Sequence, residues 1–428
     1  MRPMQVVTAS TMLSDEREAV AALSRELLKK SSGKIAGVCL YFQKSLSPAK
    51  LQEACREFFA DIPFAGMRTE NGSFDANALI GGKSGMMPSS GGASRNRFSV
   101  NRFKEPEVPR AQGVIALAFT GEDVFMGIVA GAYSPDMDIN PDNVFNRASA
   151  KAGFLGVFPD LILFHCTDDA QFPFAAALAK HMGDSVQVAG GLFDTSDGEV
   201  AVFNEEQVIT GKSLYLMTFL YTDCDVAVTG ENNSEPEGYY GIVTESSGCF
   251  ISEIDNQPAA DVLFRWLDQD STSWSPDKLN QELSKIRHRW TLAVCSADIR
   301  GPERFTFTYL RNITPERAIQ ISHIWEPGER LCLMAVSGND MVRYLCKIGH
   351  SSDRVILGAL HYICQFYSTG EQASRYFESV VSAVRANKNH PFVTLPQRGE
   401  LVKSMDVLEY VMGNYMIVSV WFMEREAV

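Results

Sequence analysis

One pattern returns three times along this chain: a buried strand, an amphipathic helix, a second strand and a turn containing glycine. In the first copy residues 35–42 form an unbroken apolar run, and Ser47 followed by Pro48 reads as a helix N-cap and first-turn proline. Leu51, Ala54, Cys55 and Phe58 then fall at i, i+3, i+4 and i+7, one stripe of that helix. Residues 64–68 follow as a strand, and Asn71-Gly72 signals a turn. The second copy runs from a strand over 161–165 through Ala175, Leu178, Ala179 and Met182 to a strand over 186–189 and Gly190-Gly191. The third runs from 355–366 through Ala373, Phe377, Val380 and Val384 to 391–395, closing on Gln397, Arg398, Gly399 and Glu400.

Parallel strands cannot be joined by a tight turn, so each helix is the expected crossover between its two strands. Each copy leads into two further strands, expected to close as hairpins: 114–119 with 126–130, 199–203 with 214–220, and 406–411 with 415–422. The predicted fold class is α/β, more fully a mixed α+β arrangement of repeated strand-helix-strand and hairpin units forming mixed sheets in two lobes. The stretch 268–276, rich in Asp, Ser, Thr and Pro, marks the expected boundary. The division is then a lead-in with one helix over 1–32, a first domain over 33–275 and a second over 276–428.

Composition removes several functions. A net charge of -13 repels phosphate backbones and anionic headgroups, so nucleic acid is not an expected partner. The longest apolar runs, 113–119 and 416–423, fall far short of the roughly 20 residues that span a bilayer, so no membrane insertion is expected. Polar residues from Thr8 onward leave no apolar core for a secretory signal. Nine cysteines scattered without a C-x-x-C pair point to reduced thiols in the cytoplasm.

The chain carries no G-x-S-x-G, H-E-x-x-H, G-x-G-x-x-G or EF-hand pattern, and no nucleophile stands beside a base. It is not expected to be an enzyme or to need a cofactor or metal. Gly82-Lys83-Ser84 echoes a phosphate loop, but Asn77 stands where the earlier glycine belongs. Residues 81–110 carry Lys83, Arg95, Arg97, Arg102, Lys104 and Arg110 among Gly, Ser and Pro, and read as a surface insertion or as a basic loop that seizes an acidic partner. His361, inside the apolar run 359–366, is the single candidate axial ligand should haem be bound.

The turns hold the candidate binding residues. Glycine at the carboxyl end of a strand lets backbone N–H groups approach a ligand closely. Gly190, Gly191 and Asp194 offer donors and a carboxylate, while Arg398, Gly399 and Glu400 offer one charge of each sign, a pairing suited to a zwitterion such as an amino acid. The same glycines serve equally well in tight turns alone.

Val188-Ala-Gly-Gly-Leu-Phe-Asp194, the strands within 199–220 and Ile254-Asp-Asn-Gln-Pro-Ala-Ala-Asp261 together resemble the amino-terminal FIST domain, with its V-x-G-G turn, hairpin and E-I-D-G-x-P-A segment. Tyr309-Leu-Arg-Asn-Ile313, Gly358-Ala-Leu, Cys364 and Gly399-Glu400 resemble the carboxyl-terminal FIST domain, in the same order. The resemblance implies an intracellular sensory and signal-transduction protein that binds a small ligand between FIST lobes and reports to a histidine kinase or a cyclic-dinucleotide enzyme. On that reading Arg311, Arg398 and Glu400 recognise charge, Gly190, Gly191 and Gly399 give backbone access, and Cys364 lines the same site. The alternatives it implies are a haem-binding nitric oxide sensor using His361 and a scaffold for protein partners without a small ligand. After Cys364 the family commonly carries arginine, whereas Gln365-Phe366 stands here.

Overall fold

Burial on both faces distinguishes the strands of the repeat: Ile35–Phe42, Val114–Thr120, Leu161–Cys166 and Leu214–Tyr221 are buried at every position. Sheets built from such strands must be covered on both sides. The computed structural model describes residues 4–69, 73–75, 79–80, 110–111, 113–133, 141–167, 174, 177–178, 180–182, 186–193, 198–231, 236–287, 289–296, 304–322, 324–336, 354–364, 385, 390–404, 407–413 and 416–425.

Three sheets share one strand order. The first runs Gln5–Thr11, Val114–Thr120, Ile35–Phe42, Phe64–Arg68, Val200–Asn204, Val208–Gly211. The second runs Phe125–Ala132, Leu214–Tyr221, Leu161–Cys166, Gln187–Leu192, Glu400–Ser404, Val407–Gly413. The third runs Asp225–Glu231, Ile417–Met423, Ile356–Cys364, Phe392–Gln397, Ser73–Asp75, Leu79–Ile80 and extends to Arg110–Ala111. The third and fourth strands of each order are the parallel pair of one repeat. The last hairpin comes from another repeat, so the units exchange hairpins in a cycle: the first donates to the third sheet, the second to the first and the third to the second. Mixed sheets with crossover helices make the fold α/β, as the periodicity predicts.

The hairpin partners differ from expectation. Val114–Thr120 and Phe125–Ala132 lie in different sheets, Val200–Asn204 pairs with Val208–Gly211 rather than with Leu214–Tyr221, and Val407–Gly413 pairs with Glu400–Ser404 rather than with Ile417–Met423. A strand buried on both faces shows no alternation that names its partner, and nearness in sequence was the only guide.

The inner faces of the three sheets meet in one core. On the outer face of the first sheet lie α1 (Glu16–Lys30), capped by Asp15, and α2 (Pro48–Phe58), capped by Ser47 with Pro48 in its first turn. The expected stripe of Leu51, Ala54 and Cys55 is buried there. The second sheet is covered by α3 (Pro141–Ala152) together with Phe174, Leu178 and Met182. The third is covered differently, by a fourth sheet drawn from residues 236–254 and 290–335, where Ala293, Phe307, Cys332 and Met334 pack on Ala359, Ile363, Phe392 and Trp421. The far side of that fourth sheet holds α4 (Ala259–Trp266) and α5 (Pro276–Ile286), the latter capped by Ser275. Strands from both sides of residue 275 share the second, third and fourth sheets. Among the described residues no helix is long and apolar enough to cross a membrane.

Candidate functional site

Gly190-Gly191, expected as a turn, lies inside the strand Gln187–Leu192, paired on both sides, and this strand meets the third glycine turn. Gly191 pairs with Glu400 and Gly190 with Leu401 across antiparallel strands, the Leu192 N–H donates to the Gly399 carbonyl at 2.8 Å, and the Arg398 N–H donates to the Leu192 carbonyl at 3.1 Å. Only glycine permits this approach. A Cβ at Gly190 would stand 1.7 Å from the Phe164 carbonyl oxygen, and one at Gly191 would stand 2.5 Å from that of Gly399 and 2.9 Å from the Gln397 side chain.

Glu400 lies behind this corner, fully buried. The Met416 N–H donates to its carboxyl at 3.3 Å and the Cys364 thiol stands against it. Burial pushes its pKa well above the usual carboxylate range, with those two contacts opposing. In the same cross-strand row Glu400 is followed by Gly191 and then His165, whose imidazole burial depresses to about 3.

In front of the corner stands Tyr309, half-buried on the fourth sheet, its N–H donating to the Ser322 hydroxyl at 2.9 Å. Burial raises its phenol, the charges of Arg287, Arg398 and Arg311 pull it back down, and Cys364 pushes it up. These four side chains therefore act electrostatically on one hydroxyl, and the Arg287 guanidinium lies 5.5 Å from the centre of the Tyr309 ring. Each of the three arginines is half-buried, which keeps its charge effective while leaving a face to solvent.

Of the residues expected to bind ligand, Arg311, Cys364, Arg398, Gly399 and Glu400 thus come together at the seam between the fourth sheet and the glycine corner, with Gly190 and Gly191 supplying the backbone behind them. Asp194, the segment from Lys83 to Lys104 and the helical positions Ala373 to Val384 lie outside the described residues. Tyr309 and Arg287 were not singled out, although Tyr309 opens the motif that carries Arg311. Arg287 sits at the end of α5, where nothing in the polar pattern separates it from its charged neighbours.

His361 does not fit a porphyrin. It is fully buried, its Nδ1 pairs with the Ser419 hydroxyl at 2.9 Å, and its ring packs edge-on against Trp421 at 5.1 Å with Phe392 on another side at 6.3 Å. A haem face at this imidazole would have to displace one of those rings. Among the described residues no three His, Cys, Asp or Glu side chains are grouped to hold a metal ion.

The sequence model of the FIST N domain matches residues 36–257, which span the first two repeats and Gly190-Gly191. No curated protein matches the chain.

Proposed function

Because this chain belongs to the FIST N domain family, whose domains are sensory and signal-transduction modules, we propose that it binds a small ligand around Tyr309 and reports occupancy to a partner protein. One observation carries this reading: Arg287 lies over a half-buried phenol on which the charges of Arg398 and Arg311 also act, beside a corner of closely packed glycine backbone. Guanidinium groups bind a carboxylate bidentately, so an amino acid would place its carboxylate among the arginines. Residues beyond 257 then act as a FIST C counterpart whose seam with the glycine corner is the pocket. Ligand changes the signal through unequal affinity for two arrangements of that seam. A histidine kinase or a cyclic-dinucleotide enzyme in the cytoplasm is the partner this reading favours, and no catalysis is assigned.

A thermal-shift screen of free amino acids tests it, since a ligand at 100 times its Kd stabilises the native state by about 2.7 kcal/mol. We expect at least one amino acid to raise the midpoint of the wild type and to do nothing to Arg311→Ala combined with Arg398→Ala. Stabilisation that survives in the double variant, or a panel without a hit, would overturn the site.

A further inference from the structure

Away from the seam, three apolar side chains of the loop that follows α3, and Phe125 at the start of its strand, stand out of the protein. Phe125 is 39% exposed, Leu155 67%, Val157 52% and Phe158 56%. Single exposed apolar residues are ordinary, but a contiguous group on a fixed surface marks an interaction site. This surface is fixed. Gly153 and Gly156 take left-handed backbone at φ +85 and +81, shaping a turn that most other residues would strain. Phe154 stacks on Tyr221 with ring centres 4.6 Å apart and meets Phe125 edge-on at 5.0 Å. The Tyr221 hydroxyl donates to the Val157 carbonyl at 2.9 Å, the Asp160 N–H donates to the Leu220 carbonyl at 3.0 Å, and the Thr222 N–H donates to the Asp160 carboxylate at 2.8 Å.

Carboxylates flank the patch along the chain and across the strand pair. Glu122 and Asp123 precede Phe125 and are exposed, Asp160 follows Phe158 by two residues and is exposed, and Asp223 lies two residues beyond Tyr221, the cross-strand partner of Phe125. Of the nearby cations, Lys151 is engaged by Glu205 and Glu206, and Lys34 is an exposed lysine beside four carboxylates. An apolar centre with an acidic rim selects its occupant. A two-fold contact with a second copy would bring the rim carboxylates against themselves, and an anionic bilayer would meet the same repulsion.

We infer that the loop over 153–160 with Phe125 is the docking surface for a partner polypeptide that presents large apolar side chains flanked by lysine and arginine. The apolar centre supplies affinity, and the rim supplies selection and rate. This assignment is independent of the ligand site at Tyr309.

Selecting random linear peptides by display on the whole chain, with counter-selection on a variant carrying Leu155→Asp and Phe158→Asp, tests the proposal. Both side chains are more than half exposed, so the variant should unfold at the wild-type temperature, which is measured first. Enriched peptides are expected to carry paired apolar residues among basic ones. A synthetic copy of one should bind the variant about tenfold or more weakly by fluorescence anisotropy. Glu122→Lys with Asp123→Lys should weaken it about threefold and flatten the salt dependence, as rim charges do. The proposal is overturned if no peptide depends on the patch, if the enriched peptides are acidic, or if the wild type is a dimer that the variant makes monomeric. Patch-dependent sedimentation with phosphatidylserine vesicles would overturn it equally.

Discussion

The first and third repeats are built on the same strand order and bury it by different means. Between its edge strand Gln5–Thr11 and its parallel pair, the first repeat inserts α1, which lies with α2 on the outer face of the sheet. In the corresponding place, between Asp225–Glu231 and Ile356–Cys364, the third repeat inserts the fourth sheet with α4 and α5. A helix of 15 residues seals an outer face and does little else. A whole sheet in its place seals the same face and brings new side chains, Tyr309 and Arg311 among them, to the glycine corner of the third turn. The charged cluster therefore lies where the repetition is broken, and the regular parts of the molecule serve as its frame.

One position measures how differently the three sheets are covered. Gly66, Gly190 and Thr394 occupy equivalent places on the second parallel strands, opposite Leu40, Phe164 and His361. Alanine at Gly190 would drive its Cβ into a backbone carbonyl, which cannot swing aside, so Gly190→Ala should cost more than about 3 kcal/mol by urea denaturation. At Gly66 the obstacle is the Phe203 ring, a side chain stacked on Phe42 that can shift, and Gly66→Ala should cost about 1–3 kcal/mol. The third sheet already accommodates a β-branched residue there, fully buried, so Thr394→Ala should cost less than either. Equal losses at Gly66 and Gly190 would show that the two outer faces are packed alike and that the comparison fails.

How far the sequence reveals this arrangement follows from the range of each signal. Strand, helix and parallel strand are adjacent in the chain, and their periods are local, so the repeats at 35–68 and 161–192 are legible from residues such as Leu51, Ala54 and Cys55 alone. The cyclic exchange of hairpins is not, because Val200–Asn204 and Glu400–Ser404 pair with strands far from them in sequence, and no pattern within them specifies which. The site divides in the same way. Gly190, Gly191, Arg398, Gly399 and Glu400 are visible as turns, whereas the approach of Arg287 to Tyr309 depends on how α5 packs against the fourth sheet. The pairing of Glu400 with an ammonium, natural on paper, meets a fully buried carboxyl whose pKa burial raises.

The row formed by Glu400, Gly191 and His165 gives the corner two pH dependences of opposite sign, a feature with no counterpart in the first sheet, whose equivalent row ends in Val202, Met67 and Tyr41. Glu400 has a folded pKa above its unfolded one, so the unfolded state releases a proton that the folded state retains. Stability is full below the usual carboxylate range and falls as pH rises from there toward the raised value, by at most about 1.4 kcal/mol per pH unit. His165 is depressed to about 3, so its contribution is complete above the ordinary histidine range and is lost as pH falls from about 6.5 toward 3. Glu400→Gln should remove the fall that begins in the carboxylate range, and His165→Gln should remove part of the loss below about 6.5, both read from denaturation midpoints across pH 3 to 9. An unchanged fall with rising pH in Glu400→Gln would mean that the carboxyl does not carry it.

The smallest expected effect separates the centre of the molecule from its seam. Tyr41, His165 and Tyr362 occupy equivalent inward positions on the three sheets, and the Tyr362 ring centre lies 5.3 Å from that of His165. The Tyr362 hydroxyl and the His165 Nε2 are buried without a hydrogen-bond partner among the described residues. An unmet buried hydroxyl costs free energy, so deleting it removes a penalty rather than a bond. Tyr362→Phe should therefore leave stability unchanged or raise it by up to about 1 kcal/mol. Tyr309→Phe should weaken the ligand-induced shift, since the arginine charges act on its hydroxyl. A loss of more than about 1 kcal/mol in Tyr362→Phe would mean that the hydroxyl does have a partner, most simply a buried water bridging it to His165, and the three-sheet core would then be polar at its centre.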